Sequence, residues 1–135
     1  MTYERQRRYE GAWHTEIRPL FPGYQLLSAD SEEKLEDELR KTAAAFGIAR
    51  KDMTVYPIPE ENKRFLTELC GNGQHLPMSE GYIKDGRTYV TSGPLRGKEA
   101  WICKIDRHKR LAKLELPEEG TGREVCMGLE IVRKE

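Results

Sequence analysis

Short apolar segments separated by turn residues follow residue 80, and this spacing restricts the fold more than any other feature. Residues 88–91 are rich in β-branched and aromatic side chains, and residues 92–94 (Ser, Gly, Pro) end them. Residues 100–105 and 125–132 are similar, and residues 111–116 alternate between apolar and polar. Strands that recur every roughly 8–12 residues are typical of small barrels. The sequence therefore predicts a small β-barrel.

Helical periodicity precedes this region. Asp30 and Glu33 resemble a capping box, and Gly47 is suited to closing a helix. Between them the apolar side chains recur at helical spacing, which predicts an amphipathic helix over residues 31–46. Its predicted buried side chains are Leu35, Leu39, Ala43 and Phe46.

A second helix is predicted over residues 59–70, with Pro59 in its first turn. The predicted buried stripe of this helix consists of Phe65, Leu66, Leu69 and Cys70. The glycines of residues 71–73 end it, and the pattern then changes from helical to strand-like. We therefore expect an α+β protein of two domains, one at residues 1–74 and one at residues 75–135.

The charge is balanced overall but concentrated locally. The chain has 23 basic and 23 acidic side chains, which excludes a globally basic nucleic-acid coat protein and a globally acidic mimic. Residues 84–113, however, carry nine basic and three acidic side chains. This excess predicts one cationic patch on the second domain.

The sequence does not predict an enzyme, a metal site or a cofactor. The three histidines lie in separate segments, and no phosphate-binding Gly-rich loop is present. The three cysteines, Cys70, Cys103 and Cys126, include no Cys-x-x-Cys pair and are predicted to be buried structural thiols of a cytoplasmic protein. No apolar segment has the length of a membrane span.

Two groups of residues resemble the NusG family of transcription elongation and antitermination factors, in particular its LoaP-like antiterminator branch. Residues 11–13 and 19–24 are similar to the start of the central hairpin of the NusG N-terminal domain, and residues 57–69 continue in the family's order. Residues 86–97 resemble a KOW motif, which residues 102–112 complete. The resemblance implies a ferredoxin-like or RNP-like α/β domain followed by an SH3-like KOW barrel.

The family's N-terminal domain normally opens with a strand and a helix before the Gly-Trp segment. Met1 is expected to lie too close to Gly11 for either element, so a shortened domain is expected. Arg5, Arg7 and Arg8 in this segment either contact non-template DNA or flank an edge strand. The second interpretation is favoured.

The resemblance implies a site for RNA polymerase at Phe21, Pro22, Gly23 and Tyr24. Pro22 followed by Gly23 fits a type II turn, which presents Phe21 and Tyr24 close together. Aromatic side chains bury a large area at a low entropy cost and are good interface anchors. In the family this turn grips the clamp helices of the polymerase. The alternative is that both rings pack beneath the sheet.

The second candidate site is cationic and lies around a predicted turn at residues 106–110. Its residues are Lys104, Arg107, His108, Lys109 and Arg110. Such side chains neutralise phosphates, and arginine also stacks on unpaired bases, so this turn is predicted to bind RNA. The alternative is a solvated turn without a ligand. Asp106 is expected to cap the turn rather than to bind a metal.

The resemblance thus implies a factor that binds elongating RNA polymerase and suppresses pausing or termination. Its further implied partners are nascent RNA, in particular a hairpin, and non-template DNA or a ribosomal protein. A second hypothesis is a KOW-type RNA-binding or ribosome-associated protein that acts without polymerase. A third is a barrel that only docks proteins.

Overall fold

The structure is a computed structural model, and it describes residues 1–22, 24, 26–71, 73–116 and 124–135. Two helices and eight strands make up its regular elements. The helices are α1 (Glu32–Ala45) and α2 (Glu60–Cys70). The strands are β1 (Thr2–Tyr9), β2 (Ala12–Pro19), β3 (His75–Leu76), β4 (Ser79–Lys84), β5 (Arg87–Ser92), β6 (Ile102–Asp106), β7 (Leu111–Glu115) and β8 (Glu124–Lys134).

The predicted α+β class is confirmed, but within the described residues the strands of the predicted barrel form no closed barrel. The strands form a three-stranded sheet in the order β2-β1-β3 and a five-stranded sheet in the order β5-β4-β8-β7-β6. In the described part of the chain, β5 and β6 are the unpaired edges of the larger sheet. A cleft of about 440 Å³ lies where a barrel would close, lined by both of these strands. The sequence also predicts a loop at residues 117–122, and these residues lie outside the described part of the chain.

Strand β8 connects the two halves of the larger sheet. Residues 124–128 pair antiparallel with β7, and Leu129 onward pairs parallel with β4. Gly128 lies at the change of partner, and a Cβ atom there would lie 2.4 Å from the carbonyl oxygen of Glu4 in β1. The glycine therefore lets β1 pass close to the backbone of β8.

The first nineteen residues form a β-hairpin, which the sequence analysis missed. Tyr9 pairs with Ala12, and the two residues between them, Glu10 and Gly11, have φ angles of 52° and 75°. Two successive positive φ angles are typical of the type I′ turn that matches the twist of paired strands. The expectation that the residues before Gly11 are too few for a strand is wrong, since β1 has eight residues.

The chain divides into two compact units, one of residues 1–22 with 59–135 and one of residues 23–58. This division differs from the expected domains 1–74 and 75–135, because both the hairpin and α2 belong to the unit that contains the larger sheet. The core of that unit takes residues from all of them. Its members include Tyr3, Leu20, Phe65, Leu66, Leu69, Leu76, Val90, Ala112, Leu114, Met127 and Leu129.

Two predicted patterns are confirmed in this core. Ala112, Leu114 and Leu116 of the alternating segment are all buried, while Lys113 and Glu115 between them are exposed. The stripe of α2 is also buried, except that Cys70 is half-buried. Both patterns are local, because a strand alternates with a period of two and a helix turns every 3.6 residues.

The unit of residues 23–58 contains α1 and little else that is regular. Ser31 rather than Asp30 caps the helix, and its Oγ accepts a hydrogen bond from the Lys34 backbone N–H at 3.2 Å. Leu39 and Ala43 are buried as predicted, but Phe46 is 66% exposed, so its place in the buried stripe is wrong. Phe46 is the C-cap residue of the helix, which ends at Ala45.

Candidate functional site

The turn between β6 and β7 presents three cationic or ionisable side chains. Asp106 Oδ1 accepts a hydrogen bond from the Lys109 backbone N–H at 3.0 Å, which confirms its capping role. This bond, assisted by the Lys109 charge, holds the pKa of the Asp106 carboxyl below its usual value. Arg107, His108 and Lys109 are exposed on the capped turn. Their side chains are thus displayed on a backbone that the aspartate stabilises.

Arg110 has different surroundings. Its guanidinium lies 3.8 Å from the ring centroid of Trp13, a cation–π contact. It also donates a hydrogen bond to the side-chain oxygen of Gln6 and lies 3.5 Å from Glu130. Arg110 therefore ties the turn to the N-terminal hairpin and to β8, and its charge is largely used within the protein.

Lys104 lies apart from the turn, on the wall of the cleft between β5 and β6. It is exposed on β6, and Arg87 of β5 lines the same cleft. Glu99 is the carboxylate of this cleft. Burial disfavours its charged form, but hydrogen bonds from backbone N–H groups, including Val90 at 3.0 Å, outweigh burial and lower its pKa. The cleft therefore has two cations and one ionised carboxylate among its lining residues.

The predicted polymerase site is divided between the two compact units. Phe21 is half-buried and packs against the core of the first unit, as the alternative interpretation expected. Pro22 is exposed, and Gly23 lies outside the described residues. Tyr24 belongs to the second unit, is 60% exposed and makes an edge-to-face contact with Tyr56 at 6.5 Å between ring centroids.

Tyr24 belongs to a group of exposed apolar side chains that sequence reasoning missed. In the described part of residues 23–58, only Leu39 and Ala43 are buried apolar side chains. The large apolar side chains that remain exposed there are Tyr24, Phe46, Ile48, Val55, Tyr56 and Ile58. We call these six residues the apolar surface. Tyr24 and Tyr56 are in contact within this group, and paired exposed aromatic side chains are suitable anchors for another macromolecule.

Two of the arginines of the hairpin share one acidic partner. Glu16 lies 2.9 Å from Arg18 and 3.9 Å from Arg7, and the hydrogen bond from Arg18 lowers its pKa. Strand β2 is the edge of its sheet, and β1 with Arg5, Arg7 and Arg8 is its neighbour. Arg5, Arg7 and Arg8 therefore lie on the central strand of this sheet, beside its edge strand.

Other kinds of site have less support. Among the described residues, no group of three or more His, Cys, Asp or Glu side chains is placed to hold a metal ion. Cys70 and Cys126 are half-buried, but Cys103 is exposed, so its prediction as a buried thiol is wrong. Neither described helix has the length and apolar character that a membrane span requires.

Comparison with known proteins leaves the family open. No protein-family model matches the sequence. No curated protein matches it significantly. The resemblance to NusG-family factors therefore depends on the motifs at residues 11–24 and 86–112 and stays an expectation.

Proposed function

We propose that this protein is a transcription elongation or antitermination factor. It binds elongating RNA polymerase through residues 23–58 and contacts nascent RNA through the turn at residues 107–109. The five-stranded sheet acts as the KOW-type domain in this proposal. The observation that carries it is the display of Arg107, His108 and Lys109 on a capped, exposed turn, while the adjacent Arg110 is held in internal contacts.

The two surfaces suit the two partners by their chemistry. Arginine and lysine neutralise phosphates and release counterions, which gives RNA binding a strong dependence on salt. The apolar surface offers tyrosine and phenylalanine anchors, which contribute most of the affinity in many protein interfaces. The proposed effect on pausing follows if the bound factor holds the polymerase clamp closed.

The polymerase contact is tested by the variant Tyr24→Ala/Tyr56→Ala. Both side chains are exposed, so we expect the fold to be retained and the affinity for elongation complexes to fall about 30-fold or more, as for hot-spot residues. The measurement is co-purification and titration with RNA polymerase elongation complexes. Val132→Ala is the control, because Val132 is 51% exposed in the other unit. Equal retention of both variants contradicts the polymerase contact.

The RNA contact is tested by the salt dependence of binding to a stem-loop RNA. If Arg107 and Lys109 each touch one phosphate, Arg107→Ala/Lys109→Ala reduces the magnitude of the negative slope of log K against log salt by about 1.5. The control is Lys63→Ala/Arg64→Ala, which removes the same charge from exposed positions on α2. A slope that changes equally in both variants assigns the effect to net charge and removes the turn from the site.

One observation favours the second hypothesis, an RNA-binding protein that acts without polymerase. Phe21, one of the two aromatic anchors that the resemblance implies, packs against the core and is half-buried. Under this hypothesis the salt slope responds to the turn variant, and Tyr24→Ala/Tyr56→Ala leaves every interaction unchanged. The two experiments together therefore separate the hypotheses.

A further inference from the structure

Two tyrosines form a stacked pair on the larger sheet, outside the turn at residues 107–109. Tyr82 of β4 and Tyr89 of β5 lie directly opposite each other in the strand register. Their ring centroids are 5.2 Å apart and the ring planes differ by 20°. Tyr89 is 41% exposed. One flat aromatic face is thus available to solvent beside a second ring that supports it.

Cations surround this pair. The Arg133 guanidinium of β8 lies 4.3 Å from the ring centroid of Tyr82. Lys84 and Arg87 are the opposed pair two positions further along the same register, and both are exposed. Side chains two positions apart on a strand lie on the same face, so Lys84 and Arg87 share the face of the tyrosines. We call Tyr82, Tyr89, Lys84, Arg87 and Arg133 the aromatic-basic surface.

The face that carries the tyrosines is turned outward, because the opposite face of β5 is buried. Val90 follows Tyr89 on β5, points to that opposite face and is buried in the core. The acidic side chains near the surface are Asp85 in the turn between the strands, Glu135 at 3.1 Å from Arg133, Glu80 two positions before Tyr82 on β4, and Glu99, which lines the cleft with Arg87. Lys84 and Arg87 form no ion pair within the described residues. Two cations next to the rings are therefore available to a ligand.

We propose that the aromatic-basic surface binds single-stranded RNA, with an unpaired base stacked on Tyr89 and phosphates bound by Lys84 and Arg87. Aromatic side chains in a positively charged groove are the usual means of binding single strands, because every base has a flat face and every nucleotide a negative charge. Bases within a duplex are already stacked on each other and do not reach such a ring. This inference depends on the proposed function only in that RNA is the ligand.

The cleft extends the surface toward β6. Arg87 lines the cleft from β5, and Lys104 lines it from β6. A strand of RNA that stacks on Tyr89 therefore passes Arg87 and reaches Lys104, which the sequence analysis assigned to RNA binding. Lys104 has its place in this path rather than in the turn at residues 107–109.

The chemistry favours RNA over a protein as the occupant. Lysine is depleted in the cores of protein interfaces, whereas Lys84 lies on the face of the tyrosines, two positions from Tyr82 on β4. The charge complements a phosphate backbone. A protein partner for this surface is one of the outcomes that the experiment below distinguishes.

The experiment measures the binding of a single-stranded oligoadenylate and of a duplex RNA of equal length to the full chain. Tyr89→Ala is expected to weaken single-strand binding about 5- to 100-fold, the range for loss of one stacked base, and to leave the salt slope unchanged. Tyr89→Phe keeps the ring and is expected to bind as the unchanged protein does. Lys84→Ala/Arg87→Ala is expected to reduce the magnitude of the negative slope of log K against log salt by about 1.4.

Several outcomes overturn the inference. If Tyr89→Ala binds single-stranded RNA as tightly as the unchanged protein, no base stacks on Tyr89 and the inference is wrong. A loss that is equal for single strands and duplex also overturns it, as does a loss of polymerase retention with RNA binding intact, which indicates a protein partner. If Tyr89→Ala does not fold, the variant Lys84→Ala/Arg87→Ala decides the question, and a salt dependence of RNA binding equal to that of the unchanged protein contradicts the inference. A failure of the proposed function alone gives a different result. Binding is then unchanged in Arg107→Ala/Lys109→Ala and in Tyr24→Ala/Tyr56→Ala, while Tyr89→Ala still weakens the binding of single-stranded RNA.

Discussion

Lys109 and Arg110 are neighbours in the chain and carry the same charge, but their surroundings differ. Lys109 is exposed on the turn. Arg110 has a φ angle of 52°, in the left-handed region, and its guanidinium lies between Trp13, Gln6 and Glu130. The planar guanidinium suits this position, because it stacks on a ring and donates hydrogen bonds in its own plane at the same time. One arginine therefore stabilises the fold beside residues proposed to bind RNA.

At this scale we predict that Arg110→Ala lowers the free energy of unfolding by about 2 kcal/mol, since it removes a cation–π contact and a hydrogen bond. The positive φ angle is retained in this variant, so backbone strain does not change the result. Lys109→Ala is the matched control and is expected to change stability by less than about 0.5 kcal/mol. Urea unfolding measures both. Equal losses of stability in the two variants contradict the structural role assigned to Arg110 alone.

The segment after β5 shows how an element depends on single glycines. Gly93 has a φ angle of 95°, and Gly97 one of 77°. A Cβ atom on Gly93 would lie 2.5 Å from the Cα atom of Ser79, whereas one on Gly97 meets nothing within 4 Å. Ser79 is buried, and its Oγ accepts a hydrogen bond from the Leu95 backbone N–H at 3.1 Å. The turn at Gly93 is thus packed against β4.

At the scale of the element we predict different effects for two identical substitutions. Gly97→Ala meets only the cost of a positive φ angle, about 1 kcal/mol. Gly93→Ala meets the same cost and also displaces the backbone of β4, so a loss of about 3 kcal/mol or more is expected. Thermal unfolding of the two variants checks this order. A Gly93→Ala variant as stable as Gly97→Ala shows that β4 does not pack on this turn.

The first compact unit as a whole is built from segments distant in the sequence. Tyr3, Phe65 and Leu129 share one core, and β1 approaches β8 closely at Gly128. An independent domain at residues 75–135 loses Tyr3 and Phe65 from that core. We therefore expect residues 1–22 and 59–135 to unfold as one cooperative body.

At this scale the prediction concerns Trp13 of the hairpin and Trp101 beside the core, the two tryptophans of the chain. In protein labelled with 5-fluorotryptophan, ¹⁹F NMR is expected to show both native resonances lost at the same urea concentration. The reason is that each tryptophan contacts a residue from the other expected domain. Trp13 forms the cation–π contact with Arg110, and Trp101 packs on Phe65 at 4.5 Å between ring centroids. Two separate midpoints indicate domains that divide near residue 74.

Local patterns in the sequence are enough to predict most of the regular elements. Both helices and the strands β5, β6, β7 and β8 lie close to their predicted positions, because their periodicity and turn residues lie within each segment, whereas β4 was not predicted. The same is true of the turn that Asp106 caps. The RNA-binding prediction for Arg107, His108 and Lys109 depends on this local pattern.

How these elements combine depends on contacts between segments that are distant in the sequence. Gln6 and Arg110 are 104 positions apart, and no pattern within either segment indicates that they meet. The same holds for the opening between β5 and β6 and for the place of the hairpin beside the larger sheet. A local pattern depends on the angles of neighbouring residues, whereas these contacts depend on which surfaces bury the most apolar area when the whole chain folds.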